Sequence, residues 1–229
     1  MSAQPPAMQP TQPDWADDAE QRLLDAAVPL TGLGWNARLA AEAGAAIGLS
    51  AGETQLLLPD GARDLAALLS RRHDQITMRS LADVDPAALK IRERIRRAVE
   101  ARLDAAAADA EASKRWAAFL ALPQNAPLGL RLAWETADGL WRWAGDTATD
   151  ENHYSKRAIL AGILIQTLAV RLSAGPAAAS ATLGARIDNV MAFEKWKATR
   201  KPITFGRDVA ERLGRLRYGA DKPDALSDP

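Results

Sequence analysis

Residues 23–50 read LLDAAVPLTGLGWNARLAAEAGAAIGLS, and apolar side chains recur in them every three to four positions. That period is typical of short amphipathic α-helices that bury one face. The first helix is predicted over residues 18–28, and the second ends at Gly48, a residue type that commonly ends helices. Ser50 and Glu53 have the spacing of a capping box, in which the two side chains satisfy backbone N–H groups at a helix start. The stretch therefore predicts three short helices joined by tight turns.

The remainder of the chain keeps the same helical period and lacks the alternating pattern that predicts β-strands. A fourth helix carries Leu65, Leu68 and Leu69 on one face. Proline residues separate the longer helices that follow, because proline ends or kinks a helix. These helices are predicted over residues 87–103, 110–122, 128–144, 150–173, 177–198 and 204–218. The chain is therefore predicted to be all-α.

The composition excludes several kinds of chemistry. The 229 residues include 29 basic and 29 acidic side chains, so the chain as a whole does not attract nucleic acid or an anionic membrane. There is no cysteine, which excludes disulfides, thiolate catalysis and cysteine metal ligands. The two histidines, His73 and His153, lack the spacing of a metal site, so neither a metal nor a cofactor is expected.

Two pairs of carboxylates are candidates for acid–base chemistry, Glu135 with Asp138 and Asp146 with Asp150. No nucleophile, metal-ligand set or phosphate-binding loop accompanies them in the sequence. We therefore predict that the protein is not an enzyme.

Both ends of the chain are predicted to be disordered tails. Residues 1–18 are rich in Pro and Gln and have neither the apolar segment of a signal peptide nor the Arg-rich pattern of a transit peptide. The longest apolar run, residues 158–170, is shorter than the roughly 20 residues that cross a membrane, so a soluble chain is expected. The predicted organisation is a tail (1–17), a helix-turn-helix-like domain (18–80), a larger helical domain (81–200), a C-terminal amphipathic helix (201–218) and a tail (219–229).

The pattern in residues 23–50 resembles the N-terminal helix-turn-helix bundle of the TetR/FadR-type repressors. In that family the third helix enters the DNA major groove, which requires cationic side chains to offset phosphate charge. No Lys or Arg lies between Arg38 and Arg63, and the third helix, residues 50–58, carries Glu53 and three consecutive leucines. We expect a repressor-like scaffold that binds no nucleic acid. The alternative is a TetR-type, ligand-responsive transcriptional repressor.

Residues 138–162 read DGLWRWAGDTATDENHYSKRAILAG and contain a second informative pattern. Gly145 permits the left-handed residue that ends one helix, and Thr149 or Asp150 can cap the next. Trp141 and Tyr154 then lie near a tight corner between the two helices. Such rings either bind a partner or fill the corner, and the sequence leaves both interpretations open.

This segment is similar to the signature of the ubiquinone-biosynthesis accessory lipid-binding proteins, the ninth of the Coq series. The similarity covers about residues 18–197. It implies a TetR-like homodimer without DNA-binding activity, which holds an isoprenoid, phospholipid or other lipid and presents quinone intermediates to the di-iron demethoxyubiquinone hydroxylase. Where the family has Trp before the Tyr, this chain has His153, and where the family has a later Tyr it has Leu164. Carried over by position, the hydroxylase-facing residues are Asp138, Leu140, Trp141, Asp150, His153, Tyr154 and Arg157.

The helix after Arg157 is apolar nearly all round, which is typical of a buried helix. A core helix explains this pattern without a ligand. The functional interpretation is that small neighbours leave a groove in the 81–200 domain for a polyprenyl tail, whose burial would stabilise it by ~25 cal/mol per Å². The predicted lipid-binding residues are Leu160, Ile163, Leu164, Thr167 and Leu168, with Leu128, Leu132, Val190 and Phe193 as opposite walls.

The last predicted helix, residues 204–218, is basic and amphipathic. Such a helix either lies on an anionic membrane surface or docks on its own domain or on a dimer mate. The predicted membrane-binding residues are Phe205, Arg207, Val209, Arg212, Leu213 and Leu216. The expected location is the bacterial cytoplasm, peripherally on the inner membrane.

Overall fold

The computed structural model describes residues 15–147 and 151–199, with the backbone alone for residues 151–152 and 193–199. All regular structure in these residues is helical, which confirms the all-α prediction. Two short 3-10 helices, Val28–Leu33 and Pro86–Ala88, join longer elements. The α-helices are α1 (Trp15–Ala27), α2 (Ala37–Ala46), α3 (Ala51–Leu57), α4 (Ala62–Ser80), α5 (Ile91–Ala108), α6 (Ala110–Leu120), α7 (Ala126–Trp143) and α8 (Glu151–Thr199).

The start of α3 confirms the predicted capping box. The Ser50 amide donates to Glu53 Oε2 at 2.8 Å, and the Glu53 amide donates to Ser50 Oγ at 3.2 Å. Immediately before it, Gly48 has φ 82°, a conformation that favours glycine. Local sequence rules therefore fix this helix boundary closely.

Helices α2 and α3 approach each other where a glycine leaves room. A Cβ atom on Gly44 would lie 3.1 Å from Thr54 Cβ and closer still to Thr54 Oγ1. Thr54 is buried, and its hydroxyl donates to the Ser50 carbonyl at 3.0 Å, so its side chain cannot turn away freely. Gly44 thus permits the close helix pair that the sequence pattern predicted.

The predicted interruption between residues 173 and 177 is a break at a single residue. Gly175 has φ 86° and ψ −176°, outside the helical region, and Pro176 follows it. The two predicted helices therefore follow each other without an intervening loop inside the bounds of α8. Glycine is suited to this position because an L side chain rarely adopts positive φ.

One hydrophobic core joins the first helices to the later ones. It contains Leu23, Leu39 and Leu65 together with Trp116 and Leu132. The predicted boundary at residues 80 and 81 therefore lies within one packed unit. That compact unit ends at Ile187, and a second begins at Asp188.

His73 is fully buried in α4, and its ring meets the Trp116 ring edge-on at 6.3 Å. Neither ring nitrogen has a hydrogen-bond partner among the described residues, and Asp109 Oδ2 lies 3.7 Å from Nε2, beyond hydrogen-bonding distance. Burial, with the positive charges of Arg102 and Arg72 adding to it, lowers the pKa of His73 from 6.5 to about 3. The imidazole is therefore neutral in the folded protein at physiological pH.

Helix α8 differs from the expectation that it is buried on every side. Ile159 and Ile165 are exposed, because only part of the helix surface packs against α4–α7. Within the described residues, one stretch, His153–Ala192, is long and apolar enough by length and composition to cross a membrane, and 28% of its most apolar 18-residue window is buried. A core helix passes the same test, so this criterion alone assigns no span.

Candidate functional site: a charged corner beside an apolar cavity

Arg157 lies at the centre of the corner between α7 and α8. We call the ion-paired residues there the charged corner: Asp138, Arg142, Asp146, Lys156 and Arg157. The Arg157 side chain is 2% exposed; Nε donates to Asp138 Oδ1 at 2.5 Å and Nη1 donates to Asp146 Oδ2 at 3.1 Å. A buried charge is tolerated only when it is paired and hydrogen-bonded. Arg157 therefore links the end of α7, through Asp138, to the first turns of α8.

Asp146 is held in place by the backbone as well as by cations. Gly145, with φ 87°, ends α7 in the left-handed conformation that the sequence predicted, and the Asp146 amide then donates to the Trp141 carbonyl at 3.0 Å. Lys156 Nζ donates to Asp146 Oδ1 at 2.7 Å. Burial of Asp146 opposes its ionisation, but the hydrogen bonds from Lys156 and Arg157 outweigh burial and lower the pKa of its carboxyl. Burial of Arg157 likewise opposes its charge, but its hydrogen bonds to Asp138 and Asp146 and their negative charges outweigh burial and raise its pKa, so the network stays charged.

Trp141 is built into this corner. Its indole Nε1 donates to the Lys156 carbonyl at 3.1 Å, and Lys156 Nζ lies 5.4 Å from the ring centroid, within the range of a cation–π contact. The ring is half-buried. Trp141 therefore fills the corner, one of the two interpretations that the sequence left open.

Tyr154 lies at the surface instead. It is 64% exposed, and its ring stacks on Trp134 with centroids 6.2 Å apart and planes at 30°. The His153 ring meets it edge-on at 5.2 Å. We call Trp134, His153 and Tyr154 the aromatic surface. Sequence analysis missed Trp134, although it lies seven residues before Trp141, a spacing that places both on one face of α7.

The structure brings together five of the seven residues predicted to face the hydroxylase: Asp138, Trp141, His153, Tyr154 and Arg157. The prediction that Leu140 faces the hydroxylase is wrong, because its side chain is buried in the core and offers no surface to a partner. Asp150 lies outside the described residues.

A cavity of about 380 Å³ opens between α4, α5, α6, α7 and α8. Its size falls within the range of small-molecule sites, and its walls are mostly apolar. Among the predicted lipid-binding residues, Leu164 and Leu168 line it. The other principal wall residues are Trp116, Leu120, Leu130, Ile165 and Ala169, and the polar ones are Ser70, Arg102 and Thr136.

The other predicted lipid-binding residues lie elsewhere. Those in the first unit are buried without lining the cavity, because they point into helix contacts: Leu128, Leu132, Leu160, Ile163 and Thr167. Val190 belongs to the second compact unit, and the side chain of Phe193 lies outside the described residues. The six predicted membrane-binding residues also lie outside them, at Phe205, Arg207, Val209, Arg212, Leu213 and Leu216.

Residues 126–194 match the sequence profile of the COQ9 family. Over this segment the chain is similar to the COQ9 family. The matched segment contains α7 and most of α8, and so it includes the charged corner, the aromatic surface and one wall of the cavity. The resemblance inferred from residues 138–162 is confirmed.

Curated relatives extend the similarity beyond that segment. The chain is 30% identical over 154 residues to the proteins named "Ubiquinone biosynthesis protein COQ9, mitochondrial" of Bos taurus, Rattus norvegicus and Homo sapiens. The aligned region is 64% of this chain and 48%, 49% and 48% of these relatives, respectively. The chain thus spans about half the length of the curated relatives it matches.

Helix α3 presents an acidic and apolar surface. Glu53 is exposed, and hydrogen bonds from the Ser50 side chain and backbone lower the pKa of its carboxyl, so it is an anion at neutral pH. Leu56 is also exposed. Since no Lys or Arg lies between Arg38 and Arg63, nothing on this helix offsets a phosphate charge.

Among residues 15–147 and 151–199, no group of three or more His, Cys, Asp or Glu side chains is placed to hold a metal ion. The charged corner consists of carboxylates already neutralised by cations. These ion pairs hold the end of α7 and the start of α8 in place.

Proposed function

We propose that this protein is a non-catalytic accessory protein of ubiquinone biosynthesis. It binds an isoprenoid or quinone intermediate in the cavity between α4 and α8 and presents it to the di-iron demethoxyubiquinone hydroxylase. The COQ9-like sequence supports the pathway, since the matched relatives are named for ubiquinone biosynthesis. The cavity is the observation that carries the proposal.

The cavity supports a hydrocarbon ligand because its walls consist largely of Leu, Ile, Ala and Trp side chains. An apolar ligand leaving water for such walls gains ~25 cal/mol for each Å² buried. A contiguous apolar opening on a protein surface also marks a binding site more often than a void left by poor packing.

The aromatic surface supports docking of a partner protein. Tyr and Trp are enriched among the residues that contribute most to protein–protein binding, and Tyr154 is both exposed and held by stacking on Trp134. Beneath it, the ion pairs of Arg157 fix the first turns of α8. A rigid, exposed aromatic group loses little conformational entropy on binding.

A homodimer and a peripheral membrane contact complete the proposal. The exposed apolar side chain of Ile159, which does not line the cavity, supports a surface that a second copy covers. The basic amphipathic sequence of residues 204–218 supports contact with an anionic membrane, and with it a location on the bacterial inner membrane.

Mass spectrometry of an organic extract of the purified full-length chain tests the function. We expect a prenylated lipid or quinone to co-purify. In Ala133→Phe, which places a ring in the cavity, the bound lipid falls several-fold. Ala158→Phe makes the same change at an exposed position of α8 that does not line the cavity, so it serves as the matched control.

Circular dichroism should show both variants to be folded. A wild-type protein that carries no lipid and takes up none from added prenyl lipids contradicts the proposal. So does an equal lipid content in the two variants.

A further inference from the structure

The cavity has one polar end. Arg102, 4% exposed, donates from Nε to Asp74 Oδ1 at 2.7 Å and from Nη2 to Ser70 Oγ at 3.5 Å. Thr136 Oγ1 donates to both oxygens of Asp74, at 2.9 and 3.0 Å. Of these residues, Ser70, Arg102 and Thr136 line the cavity, and Asp74 stands behind them. The deep end of an otherwise apolar space therefore carries a cluster of donors and acceptors.

The charge of this cluster is balanced. Asp74 neutralises Arg102, and among the described residues no second cationic side chain lines the cavity. A phosphate or carboxylate entering it would lose its hydration and find its only cation already paired, which is unfavourable. An uncharged oxygen loses far less. The hydrogen bonds to Asp74 and Ser70 use two of the five N–H groups of Arg102, and the Thr136 hydroxyl can still accept a hydrogen bond.

The opposite end of the cavity is exposed and apolar. Leu130 and Ile165 both line it and are 62% and 46% exposed, respectively. A volume of about 380 Å³ lies near the lower end of the range for sites of drug-sized ligands. A long hydrocarbon tail therefore does not fit inside and has to leave between these two residues.

We propose that Ser70, Arg102 and Thr136, with Asp74 behind them, form a head-group subsite for a lipid whose head is uncharged and carries a hydroxyl or carbonyl oxygen. The ligand binds head first, with its tail leaving past Leu130 and Ile165. This inference rests on the lipid binding proposed above and specifies which lipids bind.

The subsite adjoins a second, open groove of about 730 Å³ that Asp74 and Thr136 also line, together with Glu135 and Arg142. Arg142 pairs with Asp138 of the charged corner at 2.6 Å. Thr136 thus lies between the head of the ligand and a groove that extends to the charged corner.

Binding of three probes with one C15 tail tests the subsite. Farnesol, farnesyl diphosphate and the hydrocarbon farnesene are titrated into the delipidated full-length chain by isothermal titration calorimetry. We expect farnesol to bind at least ten-fold more tightly than either of the other two. Asp74→Asn leaves the charge of Arg102 unpaired. The ratio of the affinity for farnesol to the affinity for farnesyl diphosphate should then fall at least ten-fold. Asp104→Asn removes one carboxylate from an exposed pair with Arg171 and leaves the ratio unchanged.

If Asp74→Asn does not fold, Thr136→Val and Thr136→Ser decide the matter. The Val variant should bind farnesol more weakly than the wild type does and bind farnesene with unchanged affinity. The Ser variant should bind farnesol with the wild-type affinity. Equal affinity for all three probes, unchanged by these substitutions, overturns the head-group subsite while leaving lipid binding intact. Failure of all three probes to bind overturns the proposed function itself.

Discussion

Two arginines are buried among the described residues, Arg157 in the charged corner and Arg102 at the end of the cavity. Arg157 bonds to two carboxylates, Asp138 and Asp146. Arg102 bonds to a single carboxylate and a hydroxyl. The same side chain is thus buried to nearly the same extent in two different electrostatic settings.

The difference indicates what each cation does. Around Arg157 the negative charges are close and numerous, and Lys156 and Arg142 complete a closed set of ion pairs, which holds two helix ends together. Around Arg102 a single carboxylate balances the single positive charge. The Arg102 side chain faces a space that a molecule can enter. We infer that burial alone does not distinguish a structural arginine from a ligand-facing one. The number of carboxylates around the arginine and the presence of an open volume beside it distinguish the two.

The largest expected effect comes from breaking the closed network. In Arg157→Met, Asp138 and Asp146 lose their buried cation and the free energy of unfolding falls by about 3–5 kcal/mol, the usual consequence of removing one partner of a buried pair. Urea denaturation followed by circular dichroism measures the change.

Arg142→Met is the matched control, since Arg142 pairs with the same Asp138 from an exposed position. It should cost at most about 1 kcal/mol, as exposed ion pairs generally do. Equal losses in the two variants would show that the corner does not depend on the buried cation.

Much of this architecture follows from local rules that the sequence displays. The helical period, the Ser50–Glu53 capping box and the glycines at 145 and 175 each act within a few residues of the chain. For that reason the start of α3 and the approach of α7 to α8 agree with the sequence-based predictions. The helix predicted over residues 87–103 instead spans Ile91–Ala108, where no Ser, Thr, Asp or Asn directly precedes the first residue to mark its start. The sequence left open whether Tyr154 fills the corner or lies at the surface, and the structure places it at the surface.

The cavity follows from no such rule. Helix α8 is apolar on all sides, so the sequence could not distinguish Leu164 and Leu168, which line the cavity, from Leu160 and Ile163, which pack in the core. That distinction depends on how α8 crosses its neighbours. Arg102 was missed for a related reason: its helix carries many arginines, and only tertiary packing selects the buried one.

The second-largest expected effect is a pH dependence of stability, caused by the neutral imidazole of His73 near Arg102. The unfolded chain protonates His73 near its ordinary pKa of 6.5, whereas burial and two cations lower the pKa in the folded protein to about 3. The free energy of unfolding is therefore highest above pH 6.5 and falls as the pH drops from 6.5 towards 3. At pH 5, about 1.5 units below the unfolded value, the expected loss is ~2 kcal/mol relative to pH 7.5.

His73→Phe keeps an aromatic ring against Trp116 and removes the titration. Urea midpoints between pH 7.5 and 5 should be flatter in this variant than in the wild type. His153→Phe, which removes the other histidine of the chain, should retain the wild-type slope. An unchanged slope in His73→Phe would mean that His73 is not kept neutral by its surroundings.

The smallest expected effect on stability comes from a substitution in the aromatic surface, which the charged corner supports. Tyr154→Ala removes an exposed ring, so the free energy of unfolding should change by no more than about 0.5 kcal/mol. If the ring docks the hydroxylase, affinity measured by biolayer interferometry falls about ten-fold, or 1.4 kcal/mol. Leu56→Ala, an exposed apolar residue of α3, provides the control and leaves affinity unchanged. A Tyr154→Ala protein that binds the hydroxylase as the wild type does would assign Tyr154 to the fold alone and move the docking site elsewhere.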